Sequence, residues 1–147
     1  MAEAVRRALV VEDDDDIRDV VSMLLTVLGF DVREAANGQA ALEVLRGGWI
    51  PTLIVLDLMM PVMNGWAFRA EQRRIKGAAN VPVIVLSARR PLFREVDGEL
   101  QVAEILPKPF ELDSFLAAVS RHCPEALDHR PDWLATPAKT PTGARAR

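Results

Sequence analysis

Leu53-Ile54-Val55-Leu56-Asp57-Leu58-Met59-Met60-Pro61-Val62-Met63-Asn64-Gly65 is the stretch on which the fold turns. An apolar run of four residues leads directly into one aspartate, and a loop follows that contains Pro61 and closes on Asn64-Gly65. The run is too short for a buried helix and suits a central strand covered on both faces. Asp57 then falls at the carboxyl end of that strand, where open α/β sheets place their ligands. A carboxylate in that position can cap a helix, hold a metal or act as a nucleophile.

Outward from this strand the chain alternates between short apolar runs and helical periodicity. Ala8 to Val11 is a strand halted by the acidic block Glu12-Asp13-Asp14-Asp15-Asp16. Ile17, Val20, Val21, Leu24, Leu25 and Leu28 recur at helical spacing, with Gly29 placed to end the helix. Asp31 to Ala35 reads as a second strand. Asn37-Gly38 opens a helix whose inner face is Ala40, Ala41, Val44 and Leu45, stopped by Gly47-Gly48. Residues 65–76 are expected to be helical with weak amphipathicity. Val81 to Leu86 is another buried strand, with Pro82 tolerable only near its start. A short, poorly patterned helix is expected over 91–100, a fifth strand over Ala103 to Leu106, and a last helix with Leu112, Phe115, Leu116 and Val119 inward. Such alternation implies right-handed crossovers and a parallel sheet with helices on both faces.

The 147 residues accommodate one domain and a tail, here 1–123 and 124–147. The tail holds four of the ten prolines and few aliphatic residues, which predicts disorder. Its one apolar pair, Trp133-Leu134, is suited to docking on a groove. No apolar run reaches membrane-spanning length, and the first residues lack the apolar segment of a signal peptide, so a cytoplasmic location is expected. A net charge of −3 gives the core no electrostatic reason to bind nucleic acid. Cys123 is the single cysteine, which excludes an internal disulfide and reads as a small core residue.

In the strand order 2-1-3-4-5, strands 1 and 3 are neighbours at the topological switch point. Glu12 and Asp13 follow strand 1, Asp57 ends strand 3, Ser87 ends strand 4 and Lys108 follows strand 5. Each is a weak signal alone: Asp14, Asp15 and Asp16 read as helix capping and solvated charge, a strand-end serine as a cap, a lone lysine as surface. Together they place three carboxylates in one crevice, where their repulsion calls for a hard cation such as Mg²⁺. Lys108 and the Ser87 hydroxyl can then hold the oxygens of a phosphoryl group, with Asp57 as nucleophile.

With these residues assembled, the chain resembles the receiver domain of bacterial two-component response regulators, of the single-domain, chemotaxis-regulator type. The resemblance covers residues 5–122. It rests on Leu9-Val10-Val11-Glu12-Asp13, the run Asp57 to Gly65, Ser87-Ala88, and Leu106-Pro107-Lys108-Pro109-Phe110. It implies a flavodoxin-like α/β fold, a doubly wound five-stranded parallel sheet whose order 2-1-3-4-5 is the one known for receivers. It makes Asp57 the phosphoacceptor, Glu12 and Asp13 the acidic pair for Mg²⁺, and the Met59 carbonyl a further metal ligand. Ser87 becomes the switch hydroxyl, Lys108 the phosphate-contacting lysine, and Lys108-Pro109 a cis bond. The implied partners are a sensor histidine kinase or histidine phosphotransfer protein and a downstream protein target. No direct DNA binding and a monomer or weak dimer are expected. The protein is expected to catalyse its own phosphorylation and dephosphorylation without being a conventional enzyme.

Ile105 departs from the pattern, because receivers usually carry Tyr or Phe three residues before the lysine and this chain has no tyrosine. The expectation is that signalling here uses backbone shifts around Ser87 and the helix at 91–100, or a non-standard surface. The alternative is a pseudo-receiver that binds partners without phosphorylation. A haloacid-dehalogenase-like phosphatase would need a second aspartate where Met59 stands. A Ca²⁺ loop would need glycine where Ile17 stands.

Overall fold

The structure, a computed structural model, describes residues 6–88, 102–129 and 131. In chain order the elements are β1 (Arg7–Val11), α1 (Asp15–Val27), β2 (Asp31–Ala35), α2 (Gly38–Arg46), β3 (Leu53–Asp57), α3 (Gly65–Gln72), β4 (Val83–Ser87), β5 (Glu104–Pro107) and α4 (Leu112–His122). A 3-10 helix, Pro124–His129, follows α4. The helix expected at 91–100 and Trp133-Leu134 lie outside the described residues.

Every strand pair is parallel and the sheet runs β2-β1-β3-β4-β5. Strand side chains alternate between its faces. Ala8, Val10, Leu53, Val55, Ile84 and Leu86 pack with Val21 and Leu25 of α1, Leu28 just beyond it, and Phe115, Leu116 and Val119 of α4. Leu9, Val11, Ile54, Leu56, Val83 and Val85 pack with Ala41, Leu42 and Leu45 of α2 and Phe68 of α3. Because both faces are covered, β3 and β4 are buried along their whole length, which is why their sequences read as unbroken apolar runs. At the edge, β2 is mostly exposed and accordingly carries Asp31, Arg33 and Glu34.

Helix boundaries follow local chemistry. Asp14, Asn37 and Asn64 cap α1, α2 and α3, their side-chain oxygens accepting from the backbone N–H three residues on. Gly29 beyond α1 has φ of +93°, the left-handed geometry its position requires. Helix α3 ends at Gln72 rather than at 76. There the chain tightens into i→i−3 bonds such as Ile75 N–H to the Gln72 carbonyl at 3.0 Å. The buried Gln72 amide explains the stop, since its Nε2 donates to the Ala78 carbonyl at 2.9 Å and supports the turns. Strand β4 begins at Val83, not Val81, because Pro82 has no N–H; its carbonyl accepts from Ile54 at 3.0 Å instead.

The 3-10 helix falls within the span read as tail. Ala126 is fully buried in the α1–α4 side of the core, so the packed unit continues into the 3-10 helix. One small apolar residue, correctly placed, docks this turn, and a single alanine carries no periodicity to read.

Candidate functional site

Three strand ends meet at the carboxyl edge of the sheet. β1 delivers Glu12 and Asp13, its neighbour β3 delivers Asp57, and β5 delivers Lys108. Carboxylate oxygens of Glu12, Asp13 and Asp57 all lie within 4.8 Å of one another. Glu12 and Asp57 are buried, and Asp13 is exposed at the mouth. Lys108 Nζ lies 2.5 Å from Glu12 Oε1 and 3.4 Å from Asp57 Oδ1. The first is an ion pair by proximity rather than an aligned hydrogen bond. Backbone donors complete the set: Asp14 N–H donates to Glu12 Oε2 at 3.2 Å and Met59 N–H to Asp57 Oδ1 at 3.1 Å.

Burial pushes the Asp57 carboxyl up from 3.8 to about 7, and the adjoining carboxyl groups of Glu12 and Asp13 push in the same direction; Met59 N–H opposes them. Burial also acts upward on Asp13. Hydrogen bonds with Asp57 and Glu12 and the charge of Lys108 outweigh it and hold Asp13 below the usual carboxylate range. The cluster therefore retains a proton near neutrality, the behaviour of anionic oxygens gathered with too little positive charge. A hard divalent cation relieves that repulsion and prefers these oxygen donors. The donor set fits Mg²⁺.

Ser87 ends β4, is buried, and stands opposite Pro107 in the β4–β5 register. Its carbonyl accepts from Lys108 N–H at 2.9 Å, which ties the lysine's backbone to the same edge. The Lys108-Pro109 bond is cis. The Met59 side chain is half exposed. Ile105 pairs with Val85 in mid-strand and is half-buried on the α2–α3 side of the sheet, away from the carboxylates. Beside Lys108 an apolar groove of about 500 Å³ opens between α1 and the start of α4, lined by Ile17, Val20, Leu24, Phe110 and Leu112.

Some supporting residues were not readable in advance. Arg18 reaches back from α1 to the Glu12 carbonyl at 2.8 Å. Gly65 is required because a Cβ there would lie 2.8 Å from the Asp57 carbonyl oxygen and 2.8 Å from Leu58 Cα. Val62, in the loop after Asp57, has φ of +69°, an unusual geometry for a β-branched residue. The Asn64-Gly65 pair signalled the turn; nothing in a single sequence signals Arg18's reach.

Residues 8–120 match the family model for the response regulator receiver domain. The transcriptional regulator RpaA of Synechocystis sp. is 34% identical over 90% of this chain and 53% of its own length. The chain spans about half the length of the curated relatives it matches. A response regulator receiver protein from Pseudomonas putida superposes with TM-score 0.72 at 27% identity, over 82% of this chain and 99% of that one. The response regulator TrrA of Thermotoga maritima, solved with Mg²⁺ and BeF, does so with TM-score 0.69 at 28% identity, over 80% of this chain and 99% of that one. Among the described residues, no helix is long and apolar enough to cross a membrane.

Proposed function

The chain belongs to the response regulator receiver domain family of two-component signalling, and from that premise we propose that Asp57 is its phosphoacceptor. The donor is a phosphohistidine on a sensor kinase or phosphotransfer protein. The observation that carries this reading is the gathering of Glu12, Asp13 and Asp57 oxygens within 4.8 Å of one another, with Lys108 Nζ beside them.

Glu12, Asp13, Asp57 and the Met59 carbonyl would hold Mg²⁺, which when bound supplies positive charge to the phosphoryl oxygens. In the transfer, an Asp57 oxygen forms a bond to phosphorus as the phosphorus–nitrogen bond of phosphohistidine breaks. The imidazole leaves with that electron pair and takes up a proton. Met59 N–H keeps the Asp57 carboxylate oriented at the strand end, and Gly65 lets the loop turn close against it. Lys108, mostly shielded from solvent, brings a cation to the side where the phosphoryl oxygens must sit. Hydrolysis reverses the bond: water attacks phosphorus, and Asp57 and inorganic phosphate are released. The chain so promotes its own modification and turns over no separate substrate.

The added charge biases one of two conformations and so changes affinity for a protein partner. Relatives such as RpaA, named as a DNA-binding regulator, extend well beyond the matched span, which is 53% of RpaA's length. For the residues here we propose only the receiver's part, phosphoryl acceptance and altered protein binding. The test is Mg²⁺-dependent labelling of the full chain with a small phosphodonor. Asp57→Asn should abolish the label and Lys108→Ala should reduce it. Labelling that survives Asp57→Asn means another acceptor, and no label on the unaltered chain favours the pseudo-receiver reading.

A further inference from the structure

Arg18 stands in the first turns of α1, two residues past the acidic block, and its guanidinium makes three bonds at once, to the loop after β1, to β2 and to its own helix. Nη1 donates to the Glu12 main-chain carbonyl at 2.8 Å, Nε to Glu34 Oε2 of β2 at 3.2 Å, and Nη2 to Asp15 Oδ1 at 2.5 Å. Its side chain is 17% exposed, and of the three bonds the one to the Glu12 carbonyl is part-buried while those to Asp15 and Glu34 lie at the surface. The Glu12 carbonyl belongs to the peptide plane that carries the Asp13 nitrogen. Holding that carbonyl fixes ψ of Glu12 and φ of Asp13, and so the direction of the Asp13 Cα–Cβ bond. Glu12 has other anchors, since its N–H donates to the Ala35 carbonyl at 3.0 Å and its carboxylate meets Asp14 N–H and Lys108. Asp13 is exposed, and whether its carboxylate meets those of Asp57 and Glu12 depends on how this peptide is turned.

We propose that Arg18 is a positioning residue for the cation site, clamping the Glu12-Asp13 peptide so that the exposed carboxylate of Asp13 points at Asp57. The proposal rests on the reading of Glu12, Asp13 and Asp57 as Mg²⁺ ligands. It has an opposite sign to the simplest electrostatic expectation. A guanidinium near a cation site repels the ion, so charge alone predicts tighter Mg²⁺ binding when Arg18 is removed. A positioning role predicts weaker binding. Asp15 and Glu34 serve a double purpose here, fixing the fork and neutralising its charge.

The test is calorimetric titration of the full chain with Mg²⁺ alone, with urea unfolding in chelator run in parallel to separate affinity from stability. Loss of an outer-shell partner of this kind typically costs 10–100-fold in metal affinity, and Arg18→Met should raise Kd roughly 10-fold. Arg18→Lys can reach one acceptor but not three, so it should recover part of the loss. If Arg18→Met does not fold, Glu34→Gln removes one of the three anchors of the fork and should raise Kd by about 2- to 3-fold, below the full outer-shell effect. An unchanged or lowered Kd in Arg18→Met, or in Glu34→Gln where that variant stands in, overturns the proposal. Should the unaltered chain take up no Mg²⁺, the cation reading and this proposal fall together; should it bind and Arg18→Met bind equally well, only Arg18's role falls.

Discussion

Replacing Asp57 by asparagine should stabilise the metal-free protein above neutral pH. Asparagine has nearly the same shape, keeps an oxygen to accept from Met59 N–H, and removes one negative charge from a crowded, buried position. Asp57 is 3% exposed, and burial with the neighbouring Glu12 and Asp13 raises its carboxyl from 3.8 to about 7. Between those two values the folded protein retains a proton that the unfolded chain has released. The stability contributed by protonated Asp57 is therefore complete below about pH 4 and is lost as pH rises through about 7. A gap of about 3 pH units at 1.36 kcal/mol each gives an upper figure of about 4 kcal/mol. Adjustment of Glu12, Asp13 and Lys108 around the charge reduces this, and about 2 kcal/mol is the expected gain at pH 8. The assay is urea unfolding in chelator at pH 5, 6, 7 and 8. The stability difference between Asp57→Asn and the unaltered chain should be smallest at pH 5, grow to pH 7 and level off. Saturating Mg²⁺ should then stabilise the unaltered chain more than the variant. A difference that stays flat across the series, or an asparagine variant less stable at pH 8, would refute the account of the site as a charge-strained cluster.

Other perturbations address the scaffold. Gly65→Ala sets a Cβ 2.8 Å from the Asp57 carbonyl and Leu58 Cα, both backbone. It should destabilise the fold by about 1–3 kcal/mol, read from urea midpoints. Val62→Gly removes a left-handed β-branched residue that is 83% exposed and so loses no packing. Relief of about 1–2 kcal/mol exceeds the extra unfolded-chain entropy of glycine, and a net gain of about 0.5–1 kcal/mol should appear in the same measurement. Phe68→Ala, at a fully buried position against the sheet, should cost about 3–5 kcal/mol. A chain ended after Cys123 should unfold at lower urea than one ended after Pro131, by about 1 kcal/mol, because it loses the docking of Ala126. Equal midpoints would place the 3-10 helix outside the cooperative unit.

The sheet was legible because burial on both faces leaves a plain mark, short branched runs such as Leu53 to Leu56 and Val83 to Leu86, punctuated by caps and glycines. Boundaries slipped where a side chain rather than a period decided them. Gln72 ends α3 by bonding to the turn beyond it, and Pro82 delays β4. The acidic pair, Asp57 and Lys108 were readable as a set because strand ends are the positions an alternating βα pattern fixes without coordinates. By itself the chain of residues determined which groups arrive at one edge of the sheet. Only the tertiary structure decided how close they stand, that Lys108 pairs with Glu12 more tightly than with Asp57, and that Arg18 grips the peptide between the acidic pair. The physical reason is one of range. Periodicity and capping act within a few residues and are written locally, whereas a charge's neighbours across the sheet depend on register, twist and side-chain reach, which no stretch of sequence carries alone.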